Sequence, residues 1–111
     1  MNGVYWKKVC HVDDIPPFSG VATLIKGQQV AIFRTHSCHE VYAISNYDPF
    51  SDAYVLSRGL VGDKDGILKV ASPMYKHSFD LLTGRCLDDD NVKLPTWCTR
   101  VVDGIVQVEI K

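Results

Sequence analysis

Residues 99–110, TRVVDGIVQVEI, limit what this chain can fold into more than any other stretch. Two β-rich arms flank Asp103-Gly104, a dipeptide suited to the type I′ turn that joins adjacent antiparallel strands. In the second arm Val106, Val108 and Ile110 share one face while Gln107 and Glu109 share the other, so one side is expected to be buried and the other wet. The pattern recurs upstream. VATLI (Val21–Ile25) and VAIFRT (Val30–Thr35) flank Lys26-Gly27-Gln28-Gln29, which has the composition of a short hairpin turn, and EVYAIS (Glu40–Ser45) and ILKVAS (Ile67–Ser72) are further β-rich runs. Apolar residues seldom recur at i, i+3, i+4, i+7, and Gly and Pro punctuate the chain throughout. The prediction is an all-β fold of antiparallel sheets, a sandwich or partly closed barrel, with at most one short helical turn, after Ile15 or around Pro49–Tyr54.

With 111 residues and 46% hydrophobic content, residues 1–111 suit a single domain with one core. A formal charge of −1 leaves no positive surplus for a phosphate backbone, which argues against nucleic acid as a partner. Every apolar run is interrupted by Gly, Pro or a charge before it could span a bilayer, so no membrane association is expected. The opening MNGVYWKKVCHV has no apolar segment followed by a small-residue cleavage site, so the expected location is the cytoplasm. There Cys10, Cys38, Cys86 and Cys98 are expected as free thiols.

The stretch Ser72–Gly84, SPMYKHSFDLLTG, follows the run ILKVA and reads as a loop, a short strand, a Thr83-Gly84 turn and another strand. It resembles the second cluster loop of Rieske-type iron–sulfur domains, Cys-Pro-x-His-Gly-x-x-Phe-Asp-x-x-Thr-Gly, with Pro73, Phe79, Asp80, Thr83 and Gly84 matching in register. The family's earlier Cys-x-His loop falls on Asn46-Tyr47-Asp48, and the interval between the two loops suits the family. The resemblance implies a Rieske-like fold of antiparallel sheets with two loops at the former cluster tip. A Rieske centre needs two thiolates and two imidazoles. The four corresponding positions here are Asn46, Asp48, Ser72 and Tyr75, a hard-oxygen set that does not replace those donors. The expectation is a scaffold without a cluster, its pocket refilled by Tyr47 and Tyr75, with Asn46 and Asp48 capping backbone amides. His77, two positions beyond Tyr75, cannot be shifted into register and is expected to pack or face solvent.

Other groupings carry less. His36-Ser37-Cys38-His39 and Cys10-His11 lack zinc-module spacing, and adjacent residues on an extended chain point to opposite faces. Asp88-Asp89-Asp90 reads as a solvated acidic turn. There is no Gly-x-Ser-x-Gly elbow, no third group to orient a His beside Cys38, and no glycine-rich loop opening a helix. The chain alone is expected to do no chemistry.

A Rieske-shaped chain of this length without ligands, with VYWKKVCHVDDIPPFSGV at its start, Asn-x-Asp-Pro-Phe in its first loop and LPTW…VVDGIVQVEI at its end, is similar to the small subunits of assimilatory NAD(P)H-dependent nitrite reductases. That resemblance implies a large catalytic subunit as partner, carrying FAD, a [4Fe–4S] cluster and sirohaem and reducing nitrite to ammonium. It implies an accessory role for this chain. Tyr47, Phe50, Tyr54, Met74 and Tyr75, on or beside the two loops, are the candidate partner contacts. The alternatives are a free-standing Rieske-type [2Fe–2S] electron carrier and a ligandless module serving another reductase or oxygenase.

Overall fold

A computed structural model describes residues 5–36, 40–74 and 77–110. Twelve strands are described: β1 (Tyr5–His11), β2 (Gly20–Ile25), β3 (Gln28–Arg34), β4 (Val41–Ser45), β5 (Tyr47–Asp48), β6 (Ala53–Tyr54), β7 (Leu60–Lys64), β8 (Ile67–Ala71), β9 (Ser78–Asp80), β10 (Thr96–Trp97), β11 (Thr99–Val102) and β12 (Ile105–Ile110). All pairings among the described strands are antiparallel. They give a sheet β1-β12-β11, a sheet β10-β4-β3-β2, a sheet β7-β8-β9 and the small arm β5-β6.

The run Val30–Phe33 explains how the sheets stack. Alternate side chains of a strand point to opposite faces, and all four residues here are fully buried. Val30 and Ile32 face a core completed by Val106, Val108 and Ile110 of β12, whereas Ala31 and Phe33 face a second core with Val70 and Phe79. The β10-β4-β3-β2 sheet is thus a shared wall between two sandwiches. The sheets do not close into a barrel.

Three hairpins turn on two residues with positive φ, as type I′ turns require: Lys26-Gly27, Asp65-Gly66 and Asp103-Gly104. The first is a correction to the sequence reading, because Gln28 already pairs with Ile25, so Gln28 and Gln29 belong to β3 and not to the turn. The single expected helical turn is also corrected. Two short 3-10 turns are present, Val12–Asp14 and Leu56–Arg58, each just outside the expected positions. His11 caps the first, its Nδ1 accepting from the Asp13 amide while Asp14 accepts from the His11 amide.

The polar face of β12 is drier than its pattern implies. Gln107 is buried, with 6% of its surface exposed. Its Oε1 accepts from Arg100 Nε at 2.8 Å, and the Arg100 guanidinium lies 4.2 Å over the Trp6 ring. The guanidinium thus links the Gln107 amide to the Trp6 ring by a hydrogen bond and a cation–π contact.

Candidate functional site: the two tip loops

The chain leaves β4 at Ser45 and enters the first loop, whose Asn46 and Asp48 are both buried. Asp48 sets a tight Asx turn: its Oδ1 accepts from the Phe50 amide at 2.9 Å. Its Oδ2 accepts from the Ser51 hydroxyl at 2.9 Å and from the Ser72 hydroxyl across the gap between the loops. Ser72 Oγ in turn accepts from the Met74 amide at 3.3 Å, so a polar chain runs from the second loop into the first. Burial alone would raise the Asp48 pKa. The bonds from Ser72, Ser51 and the Phe50 and Ser51 amides more than offset it and hold the carboxyl below its ordinary value near 3.8.

This shift has a sign. A carboxylate whose folded pKa is depressed stabilises the fold above its unfolded value, and that contribution disappears as pH falls through the folded value. Urea midpoints measured from pH 7 down to pH 3 should therefore fall more steeply below about pH 4 for the wild type than for Asp48→Asn, which has no carboxyl at this position to titrate. Parallel curves would show that the Asp48 bonds do not favour the ionised form.

Asn46 does different work. Its amide nitrogen donates to Gln29 Oε1 at 3.1 Å and to the Tyr54 carbonyl at 3.3 Å, and its oxygen accepts from the Ser57 amide at 2.7 Å. It ties β3, the β5-β6 arm and the second 3-10 turn together. Its side chain is not among the Asp48–Ser72 contacts, so of the described ligand positions only Asp48 and Ser72 are joined across the loops. Tyr75 lies outside the described residues, as do Cys38 and His39.

Of the two rings expected between the loops, Tyr75 lies outside the described residues and Tyr47 does not point into the gap. Tyr47 turns to the other side, where its hydroxyl donates to Asp52 at 2.6 Å and its ring meets Tyr54 at 5.2 Å. In its place Phe50 of the first loop stacks on His77 of the second, with centroids 3.7 Å apart and planes 4° from parallel. Phe50 also meets Phe79 of the core at 6.2 Å. Among the described residues the buried His77 Nδ1 has no hydrogen-bond partner, and the stack on Phe50 is the ring's described contact. The sequence signal for this pair was indirect: a pocket without ligands needs a ring, and His77 was the ring without a role.

The donor set does not suit a [2Fe–2S] cluster. Asn46 and Ser72 hold no thiolate, Asp48 is fully engaged with hydroxyls and amides, and the one described histidine nearby is stacked on Phe50. Cys86 is buried in the second core, where desolvation pushes its thiol pKa up and so disfavours the thiolate that binds metal. Among the described residues no group of three or more His, Cys, Asp or Glu side chains is placed to hold a metal ion. In the acidic turn, Asp88 accepts from the Ser78 amide at 2.8 Å and Asp90 pairs with Arg85 at 2.9 Å. Among the described residues no helix is long and apolar enough to cross a membrane.

The family model for the Rieske-like [2Fe-2S] domain matches residues 5–109. The chain is 48% identical to the nitrite reductase (NADH) small subunit of Salmonella typhimurium, covering 93% of this chain and 95% of that one. The solution structure of the Escherichia coli protein NirD superimposes with a TM-score of 0.88 at 46% identity, covering 96% of this chain and 97% of that one. A third relative is much longer. The large subunit of nitrite reductase [NAD(P)H] from Klebsiella oxytoca is 39% identical over 93% of this chain, a match that occupies only 11% of its own length. The chain belongs to the family of Rieske-like [2Fe-2S] domains and, within it, to the nitrite reductase small subunits.

Proposed function

We propose that this chain is an accessory subunit of a cytoplasmic NAD(P)H-dependent nitrite reductase, working in the assimilation of nitrate and nitrite, and that it carries no cluster of its own. Its partner in this reading is the large catalytic subunit, whose FAD, [4Fe–4S] cluster and sirohaem would carry electrons from the nicotinamide to nitrite, giving ammonium. The observation that carries the reading is that one domain occurs in two settings: as a separate small subunit in Salmonella and as a tenth of a large-subunit chain in Klebsiella. A domain found both beside and within the same enzyme is expected to act on its catalytic body in both. The tip supports the second half, because its polar atoms bond one another where ligands would stand.

The test is co-expression of the tagged chain with the large subunit from the same organism, followed by purification and assay of nicotinamide-dependent ammonium formation. The large subunit should be retained, and its activity should fall when the chain is left out. Failure of the two to associate would refute the accessory role.

A further inference from the structure

The two ends of the described chain emerge together: Tyr5 of β1 is paired with Ile110 of β12. Two residues on, Lys7 Nζ donates to the Leu24 carbonyl at 2.9 Å, bringing the edge strand β2 to the same pole. Here two open grooves meet on either side of the Lys26-Gly27 turn, with Gln28 lining both. One, of about 310 Å³, is bounded by Ile25, Trp97, Cys98 and Ile110. The other, of about 380 Å³, is bounded by Leu24, Tyr47 and Tyr54. Tyr5, Leu24 and Tyr54 are each more than half exposed, at 57%, 58% and 56%.

We propose that this pole, and not the second tip loop, is the face that docks on the catalytic large subunit; the inference rests on the accessory-subunit reading above. The occupant follows from where the chain continues. In the Klebsiella protein nearly nine-tenths of the polypeptide lies outside this domain, and it can leave the domain only through ends equivalent to those that meet here. A tether holds the surface next to its attachment at high local concentration against the body it joins. A separate chain of the same fold that serves the same enzyme presents the same surface. The residue types agree, since Tyr and Trp are the usual anchors of a protein interface. On the side that faces the second loop Phe50 already stacks on His77 and packs against Phe79, and Asp48 is held by Ser72. Of the candidate contacts, Tyr47 and Tyr54 thus fall on the docking face, and Met74, exposed on the second loop, is the comparison position.

The experiment is a binding titration of the chain against the purified large subunit of the same organism, with Leu24→Glu, Tyr54→Ala and Met74→Glu beside the wild type. All three side chains are more than half exposed, and the unfolding midpoint of each variant is recorded to show that the fold is kept. Leu24→Glu and Tyr54→Ala should each raise Kd by about tenfold or more, and Met74→Glu by less than about twofold. The proposal is overturned if Met74→Glu alone weakens binding, or if the pole variants abolish a dimer of this chain in sedimentation while binding the large subunit as the wild type does. A wild-type chain with no affinity for the large subunit overturns the accessory reading itself, and this face with it.

Discussion

Asp48→Ala should lower the melting temperature by roughly 10–20 °C, corresponding to a loss of about 3 kcal/mol in a domain of this size. The carboxylate is fully buried and accepts from the Ser72 and Ser51 hydroxyls and the Phe50 amide. Alanine removes the common acceptor and leaves these donors facing a hole. Each stranded buried donor costs about 1–3 kcal/mol, partly relieved where water enters. Ser72→Ala should cost less, because it removes one donor and leaves Asp48 with the others. Calorimetry of the two variants checks the order, and equal melting temperatures for Asp48→Ala and the wild type would mean that the tip is not held by this carboxylate.

Gly84→Ala is expected to be as damaging, at about 3 kcal/mol or more, for a different reason. Gly84 has φ of +81°, a left-handed conformation that a Cβ disfavours by about 1 kcal/mol. Space decides the rest. A Cβ placed there would sit 2.0 Å from the Leu94 carbonyl oxygen, and that backbone is pinned because the Leu94 amide donates to the Gly84 carbonyl at 2.8 Å. Relief requires the segment around Leu94 to move away, which takes Leu94 out of the second core. By contrast, the Cβ of Gly62→Ala would meet nothing within 4 Å, so its melting temperature should differ little. A Gly84→Ala protein as stable as Gly62→Ala would contradict this account of the Thr-Gly turn.

The parts of the fold that were legible in the sequence depend on neighbours along the chain. The Asp103-Gly104 hairpin is one, since a two-residue turn fixes the register of both arms, Val102 opposite Ile105 and Thr99 opposite Val108. The run VAIF was read only as a hairpin arm, although four consecutive apolar residues in a strand require burial on both faces, as the shared wall between two cores provides. Gln107 was misread for a different reason. Its alternation with Val106 and Val108 is local, but the Trp6–Arg100 cover comes from two other strands, and no pattern within β12 encodes it.

The same distinction runs through the tip. The Asx turn at Asp48 could be read from residue type, and the motif register of Pro73, Phe79 and Gly84 brought Ser72 opposite Asp48. Which ring fills the gap could not be read that way. Tyr47 and Phe50 are three residues apart on one loop, yet Tyr47 pairs with Tyr54 across the β5-β6 arm while Phe50, in the turn beyond, meets His77. Asn46 likewise occupies a ligand position in the motif, yet its bonds to Gln29 and Ser57 make it a strut behind the loop.

We propose that in this Rieske-like domain a carboxylate–hydroxyl bond and an aromatic stack join the two loops where the family's metal centre would stand. Iron and acid-labile sulfide analysis, with a visible spectrum, on the chain purified anaerobically from its native host tests this most directly. The account predicts iron and sulfide far below one per chain and no absorbance beyond the aromatic band. About two irons and two sulfides per chain, with the charge-transfer bands of a [2Fe–2S] centre, would contradict it and would require Cys or His donors from outside the matched positions.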